Sequence, residues 1–124
     1  MKNILGLAAA ISIACAWPAA AHHSHANYAQ DRTINLSGQV TEVHWMEPHT
    51  WLYIEVAGAQ GQKIVWPLEG TGSAGLARKG WTKESIKIRD NISVRCHPLK
   101  DGAHGCLLGF ITGINGVAMD KEYN

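Results

Sequence analysis

The sequence lacks an excess of charge of either sign. Its 124 residues carry 11 Lys and Arg against 10 Asp and Glu, a formal net charge of +1. Because proteins bind nucleic acids mainly by neutralising phosphates with basic side chains, this balance argues against a nucleic-acid partner. The same balance argues against binding to an anionic membrane surface.

The sequence also lacks an amino-terminal apolar run long enough to span a membrane. Ile4 to Ala14 is eleven residues, whereas a spanning helix needs about 20. A lysine precedes this run and the small residues Ala19 and Ala21 follow it, as is typical of a secretory signal peptide. We therefore predict cleavage after Ala21, a periplasmic or secreted protein, and no stable membrane insertion. Lipidation at Cys15 is the alternative.

These features divide the chain into four parts. Residues 1–21 are predicted to be the signal peptide, 22–33 a histidine-rich amino-terminal segment, 34–119 a β-domain and 120–124 a C-terminal tail. Removal of Lys2 leaves ten basic and ten acidic residues in the mature chain.

Cysteine is scarce, since only Cys96 and Cys106 follow the predicted cleavage site. In an oxidising compartment an even number of cysteines favours a disulfide. The alternative is a zinc site in which these two thiolates join His97 and His104.

The remaining chain shows the period-two patterning of half-buried β-strands. We predict five strands, a hairpin turn at Gly58 to Gln62, and one short helix at Leu76 to Trp81. The glycine-rich stretch 70–75 is predicted to be neither helix nor strand. This order favours a mainly β fold, a small five-stranded OB-like barrel, with a β-sandwich as the alternative. The predicted strands begin at Ile34, Trp51, Lys63, Ile92 and Cys106.

The mature chain resembles an uncharacterised family of small exported bacterial proteins. The resemblance lies in HHSHANY at the mature start, GQVTEVHWMEPHTWLYIEV, Gly80-Trp81, and PLKDG from Pro98. The chain departs from that pattern at Arg89-Asp90-Asn91, where a glycine-aspartate turn is expected before the fourth strand. The resemblance implies export and a small β-domain, and it implies no activity.

Histidine is concentrated at the predicted mature start and beside one turn. His22, His23 and His25 follow the cleavage site, while His44 and His49 flank Glu47-Pro48. After cleavage, His22 would carry a free α-amine and an imidazole, which together form a chelate. We predict a copper or zinc site from these five histidines. The alternative is a solvated tail and ordinary turn residues.

Three functions remain open. The first is a periplasmic metal-binding module, and the second is a domain that binds a small molecule or another periplasmic protein on a face around Trp51, Tyr53 and Trp66. The third is a copper-dependent oxidative enzyme built on His22, which resembles the histidine brace of copper mono-oxygenases. The enzyme is the least favoured, because no catalytic motif is present and no catalytic residue is assigned. The carboxylates of Asp31, Glu42, Glu47 and Glu69 are expected to be solvated.

Overall fold

Alternating apolar and polar residues form the strands that the sequence predicts. The computed structural model describes residues 25–124, so the predicted signal peptide, Cys15, His22 and His23 lie outside the described residues. The described part contains a 3-10 turn (His25–Asn27), one helix α1 (Ser73–Arg78), and the strands β1 (Ile34–His44), β2 (His49–Ala57), β3 (Lys63–Thr71), β4 (Asn91–Pro98), β5 (Cys106–Ile114) and β6 (Val117–Glu122).

The strands form one sheet in the order β3-β2-β1-β4-β5-β6, in which sequential neighbours are antiparallel. A parallel pairing of β3 with β5, at Leu68 with Cys106, closes the first five strands into a barrel. This closure confirms the OB-like barrel and excludes the β-sandwich. This pairing covers the part of the β3 edge at Leu68 and Glu69.

β1 serves both halves of the barrel because it bends. Its first half pairs with β4 and its second half pairs with β2, with a bulge between Val40 and Glu42. A Cβ at Gly38 would collide with the carbonyl oxygen of Glu55. Only glycine therefore allows this close approach of the two strands.

The inward-facing side chains of the strands fill the barrel. At most 2% of each of these residues is exposed: Val40, Leu52, Ile54, Leu68, Ile92, Val94, Leu108 and Ile111. Leu76 from α1 is fully buried and joins the same core. Because side chains alternate along a strand, the residues between these buried positions lie on the outer face of the barrel.

Helix α1 begins earlier than predicted. It covers Ser73–Arg78 rather than Leu76 to Trp81, and so includes half of the glycine-rich stretch. The carboxylate of Glu47 accepts hydrogen bonds from the backbone N–H of Ala74 and the hydroxyl of Ser73. This contact satisfies the start of the helix, and Glu47 remains exposed, as expected.

The predicted disulfide between Cys96 and Cys106 is present. It joins β4 to β5 and lies in the buried core. The alternative zinc site is wrong, because both sulfurs are bonded to each other. The two histidines also have other neighbours: His97 Nδ1 lies 2.8 Å from the carbonyl oxygen of Arg32, and the His104 ring packs against Trp66.

The C-terminal residues extend the sheet instead of forming a separate tail. β6 continues to Glu122, and Tyr123 is 2% exposed. The Tyr123 ring packs edge-on against Trp81, with the ring centroids 5.0 Å apart, and burial raises the pKa of Tyr123 to about 12. No helix within residues 25–124 is long and apolar enough to cross a membrane.

Candidate metal centre

The amino-terminal segment is fastened to the outside of the barrel by its backbone. The N–H of Ala29 donates to the carbonyl oxygen of Pro98 at 2.8 Å. The N–H of Lys100 donates to the carbonyl oxygen of Asn27 at 2.9 Å. Between these bonds, Tyr28 forms an isolated β-bridge with Leu99. The segment that begins with His25 is therefore held beside the end of β4.

Three side chains from distant parts of the chain meet at this position. His49 is the first residue of β2, Glu69 lies near the end of β3, and His25 begins the 3-10 turn. One ligand atom from each lies within 4.8 Å of the other two. The rings of His25 and His49 have centroids 6.1 Å apart. The structure thus brings together two of the five predicted metal-binding histidines and adds a carboxylate.

Glu69 is buried, contrary to the expectation that its carboxylate is solvated. It alternates with the inward-facing Leu68 and therefore points away from the barrel core, yet its side chain is only 4% exposed. The hydroxyl of Tyr28 donates to Oε2 of Glu69 at 2.6 Å. Burial and this hydrogen bond raise the pKa of Tyr28 above its ordinary value, so the hydroxyl keeps its proton.

The second oxygen of the same carboxylate faces His49 without a hydrogen bond. Oε1 of Glu69 lies 3.2 Å from Nδ1 of His49. Both atoms are buried, and neither makes a hydrogen bond of good geometry within residues 25–124, although a protonated His49 at this distance forms an ion pair with Glu69. A buried polar atom without a partner costs about 1–3 kcal/mol, so such atoms call for a specific explanation.

The spacing of these two atoms suits a shared ion. Ligand atoms about 2.1 Å from one ion lie about 3.0 Å apart in a square arrangement and about 3.4 Å apart in a tetrahedral one. The observed 3.2 Å falls between these values. Two imidazoles and one carboxylate are a donor set that zinc and Cu(II) both accept.

Of the other predicted histidines, His44 is not part of this group. The imidazole of His44 lies 2.9 Å from the carboxylate of Glu42, and its ring packs against Tyr53 on the barrel surface. His22 and His23 lie outside the described residues.

The predicted aromatic face does not bring its three members together. Trp51 and Tyr53 alternate with the buried Leu52 on one side of β2. Trp66 is paired with the inward-facing Ile54 and packs against the core, so it lies on the opposite side of the sheet.

The burial of Glu69 cannot be predicted from the local sequence, because it depends on a distant segment. Within β3, the period-two pattern places Glu69 on the outer face, where a carboxylate is ordinarily solvated. The covering residue, Tyr28, is 41 positions away. The only local signal is a single carboxylate in the otherwise apolar stretch Val65 to Gly70.

The chain belongs to a family of unknown function (DUF6152), whose model matches residues 10–108. This match confirms the resemblance to an uncharacterised family. No curated protein and no solved structure matches the chain. Because the family has no known function, membership in it does not indicate an activity for this chain.

Proposed function

We propose that this family member is an exported periplasmic protein that binds a transition metal, copper or zinc. The ligands are His25, His49 and Glu69, and the mature amino terminus at His22 completes the site. The protein is a binding module in this proposal, and no catalytic residue is assigned to it.

One observation carries the proposal: two buried ligand atoms, in ion-pair contact but without a hydrogen bond, face each other beside a third ligand. Nδ1 of His49 and Oε1 of Glu69 lie 3.2 Å apart without a hydrogen bond, and His25 offers a nitrogen within 4.8 Å. An ion between them would satisfy both atoms at once. Such an ion would account for a buried carboxylate on the outer face of β3.

The mature amino terminus is within reach of the group. His22 precedes His25 by three residues, a span of at most about 10 Å in an extended chain. The α-amine and imidazole of His22 form a chelate before any folding, and one or both groups can occupy remaining coordination positions. The Ala19-x-Ala21 pattern before His22 supports cleavage at this point and therefore export.

The donor set favours divalent ions. Both cysteines of the mature chain are consumed by the disulfide, so thiolate ligands are absent from the described residues. Nitrogen and oxygen donors bind first-row divalent ions with affinities that peak at copper. We therefore expect Cu(II) to bind more tightly than zinc in a direct competition.

The test is a Cu(II) titration of protein exported by cells, so that it carries its natural amino terminus. His49→Ala removes a ligand, and His44→Ala is the matched control, since His44 lies outside the group. We expect at least tenfold weaker binding for His49→Ala and unchanged binding for His44→Ala. Equal affinities for all three proteins would contradict the proposal.

The role of the terminus is tested separately. The intact mass of the exported protein should correspond to a chain that begins at His22; a lipidated chain that begins at Cys15 would contradict the proposed cleavage. One extra residue before His22 removes the amine from the chelate and leaves every histidine in place. We expect this extension to weaken Cu(II) binding and to change its electron paramagnetic resonance spectrum. Identical affinities and spectra would exclude the amine as a ligand.

A further inference from the structure

We infer that Tyr28 is a positioning residue for the metal, which holds Glu69 so that the carboxylate binds through Oε1 alone. This inference rests on the proposed function. It adds a residue outside the coordination sphere and commits the carboxylate to a single-oxygen binding mode.

The two oxygens of the Glu69 carboxylate have different surroundings. Oε2 accepts the hydroxyl of Tyr28 at 2.6 Å, and this hydrogen bond is buried. Oε1 faces Nδ1 of His49 and has no hydrogen-bond partner in the described part of the chain. A carboxylate held in this way directs one oxygen, which makes no hydrogen bond, toward the second ligand.

Tyr28 is itself firmly placed. Only 6% of it is exposed, its backbone bridges to Leu99, and its N–H donates to the carbonyl oxygen of His25 at 3.2 Å. The segment that supplies the ligand His25 therefore also orients the ligand Glu69. Partners of this kind commonly change metal affinity by about 10–100-fold when they are removed.

Loss of the hydroxyl should change the geometry of the bound metal as well as its affinity. Without Tyr28 to occupy it, Oε2 becomes available to the ion, and the carboxylate can rotate or bind through both oxygens. A purely structural role for Tyr28 would alter the stability of the fold and leave the coordination of the metal unchanged.

The test compares Tyr28→Phe with wild type and with Tyr53→Phe, which removes a hydroxyl from a ring packed against His44, outside the metal group. Each protein is titrated with Cu(II), and its zinc-loaded form is measured by X-ray absorption at the zinc edge. Melting temperatures in chelator establish that each variant is folded.

We expect about 10–100-fold weaker Cu(II) binding for Tyr28→Phe, unchanged binding for Tyr53→Phe, and single-oxygen carboxylate coordination of zinc in wild type. Wild-type affinity and an unchanged absorption spectrum in Tyr28→Phe would overturn the inference and leave the proposed function intact. Two-oxygen coordination in wild type would also overturn it, even if Tyr28→Phe failed to fold. Absence of metal binding by wild type would overturn both proposals.

Discussion

Substitution of Glu69 by glutamine should have opposite effects on stability without and with metal. In the metal-free variant, the glutamine oxygen can accept a hydrogen bond from the Tyr28 hydroxyl, and the amide nitrogen can donate one to Nδ1 of His49. In wild type, Nδ1 lies 3.2 Å from Oε1 of Glu69. Relief of two buried atoms that lack a hydrogen bond is worth about 1–3 kcal/mol, and loss of the charge attraction between Glu69 and His49 offsets part of it, which leaves a gain of about 1 kcal/mol. For a domain of this size, that gain corresponds to about 4–8 °C in melting temperature.

With metal present, the order should reverse. At a free metal concentration about 100 times the dissociation constant, wild type gains about 2.7 kcal/mol. A neutral amide is a much weaker ligand for zinc or copper than a carboxylate. Glu69→Gln therefore loses this gain and becomes less stable than wild type by about 1.7 kcal/mol.

The assay is urea denaturation in chelator and in excess zinc. Glu55→Gln is the matched control, because Glu55 lies on the neighbouring strand and forms a partly exposed ion pair with Lys63 at 3.4 Å; its effect should stay within about 0.5 kcal/mol. Destabilisation of the metal-free protein by Glu69→Gln, or equal stabilisation of the variant and wild type by zinc, would contradict this prediction.

Three further predictions concern the fold. Replacing Cys96 and Cys106 with serine should lower the free energy of unfolding by about 3 kcal/mol, from the loop of ten residues that they close; equal urea midpoints would contradict the loop-closure explanation. Arg89→Gly should raise the free energy of unfolding by about 0.5–1 kcal/mol, because Arg89 has a φ of 79°, which glycine adopts without strain. A lower urea midpoint for the variant would contradict this. A hydrogen bond from Asn115 lowers the pKa of the Asp90 carboxyl. The ionised Asp90 carboxylate therefore stabilises the fold at neutral pH, and this stabilisation is lost as pH falls through the folded-state pKa of Asp90. Asp90→Asn should therefore flatten the acid side of the stability profile below about pH 4, and an unchanged slope in urea denaturation would contradict this.

The fold could be predicted from the sequence because its signals are local. Each barrel strand alternates strongly enough to reveal its buried face, and the two cysteines lie on strands that are adjacent in both sequence and space. β6 was missed because five of its six residues are exposed and it carries no apolar alternation. The start of α1 was missed because its partner, Glu47, comes from the turn between β1 and β2.

The unexpected turn before β4 has a physical explanation of the same kind. The resemblance called for glycine and aspartate where the chain has Arg89 and Asp90. The backbone at Arg89 keeps the positive φ that glycine favours. Its N–H donates to the carbonyl oxygen of Val40 at 2.8 Å, a bond that anchors the turn to β1. The conformation is therefore fixed by tertiary contacts and not by the residue type.

The candidate site could be predicted only in part. The sequence named five candidate histidines, because this residue type is visible without knowledge of the fold, and only the structure shows that His25 and His49 meet. The role of Glu69 depends on barrel closure, on the path of the amino-terminal segment and on Tyr28, which together bury it. These are long-range contacts that no local pattern encodes.

Anomalous diffraction at the copper edge, from crystals of the exported protein grown with one equivalent of Cu(II), would locate the metal. We expect one strong peak about 2.0–2.2 Å from both Nδ1 of His49 and Oε1 of Glu69, the distance that nitrogen and oxygen ligands keep from a zinc ion. A peak bound elsewhere, or an ordered structure with no peak between these two atoms, would contradict this expectation.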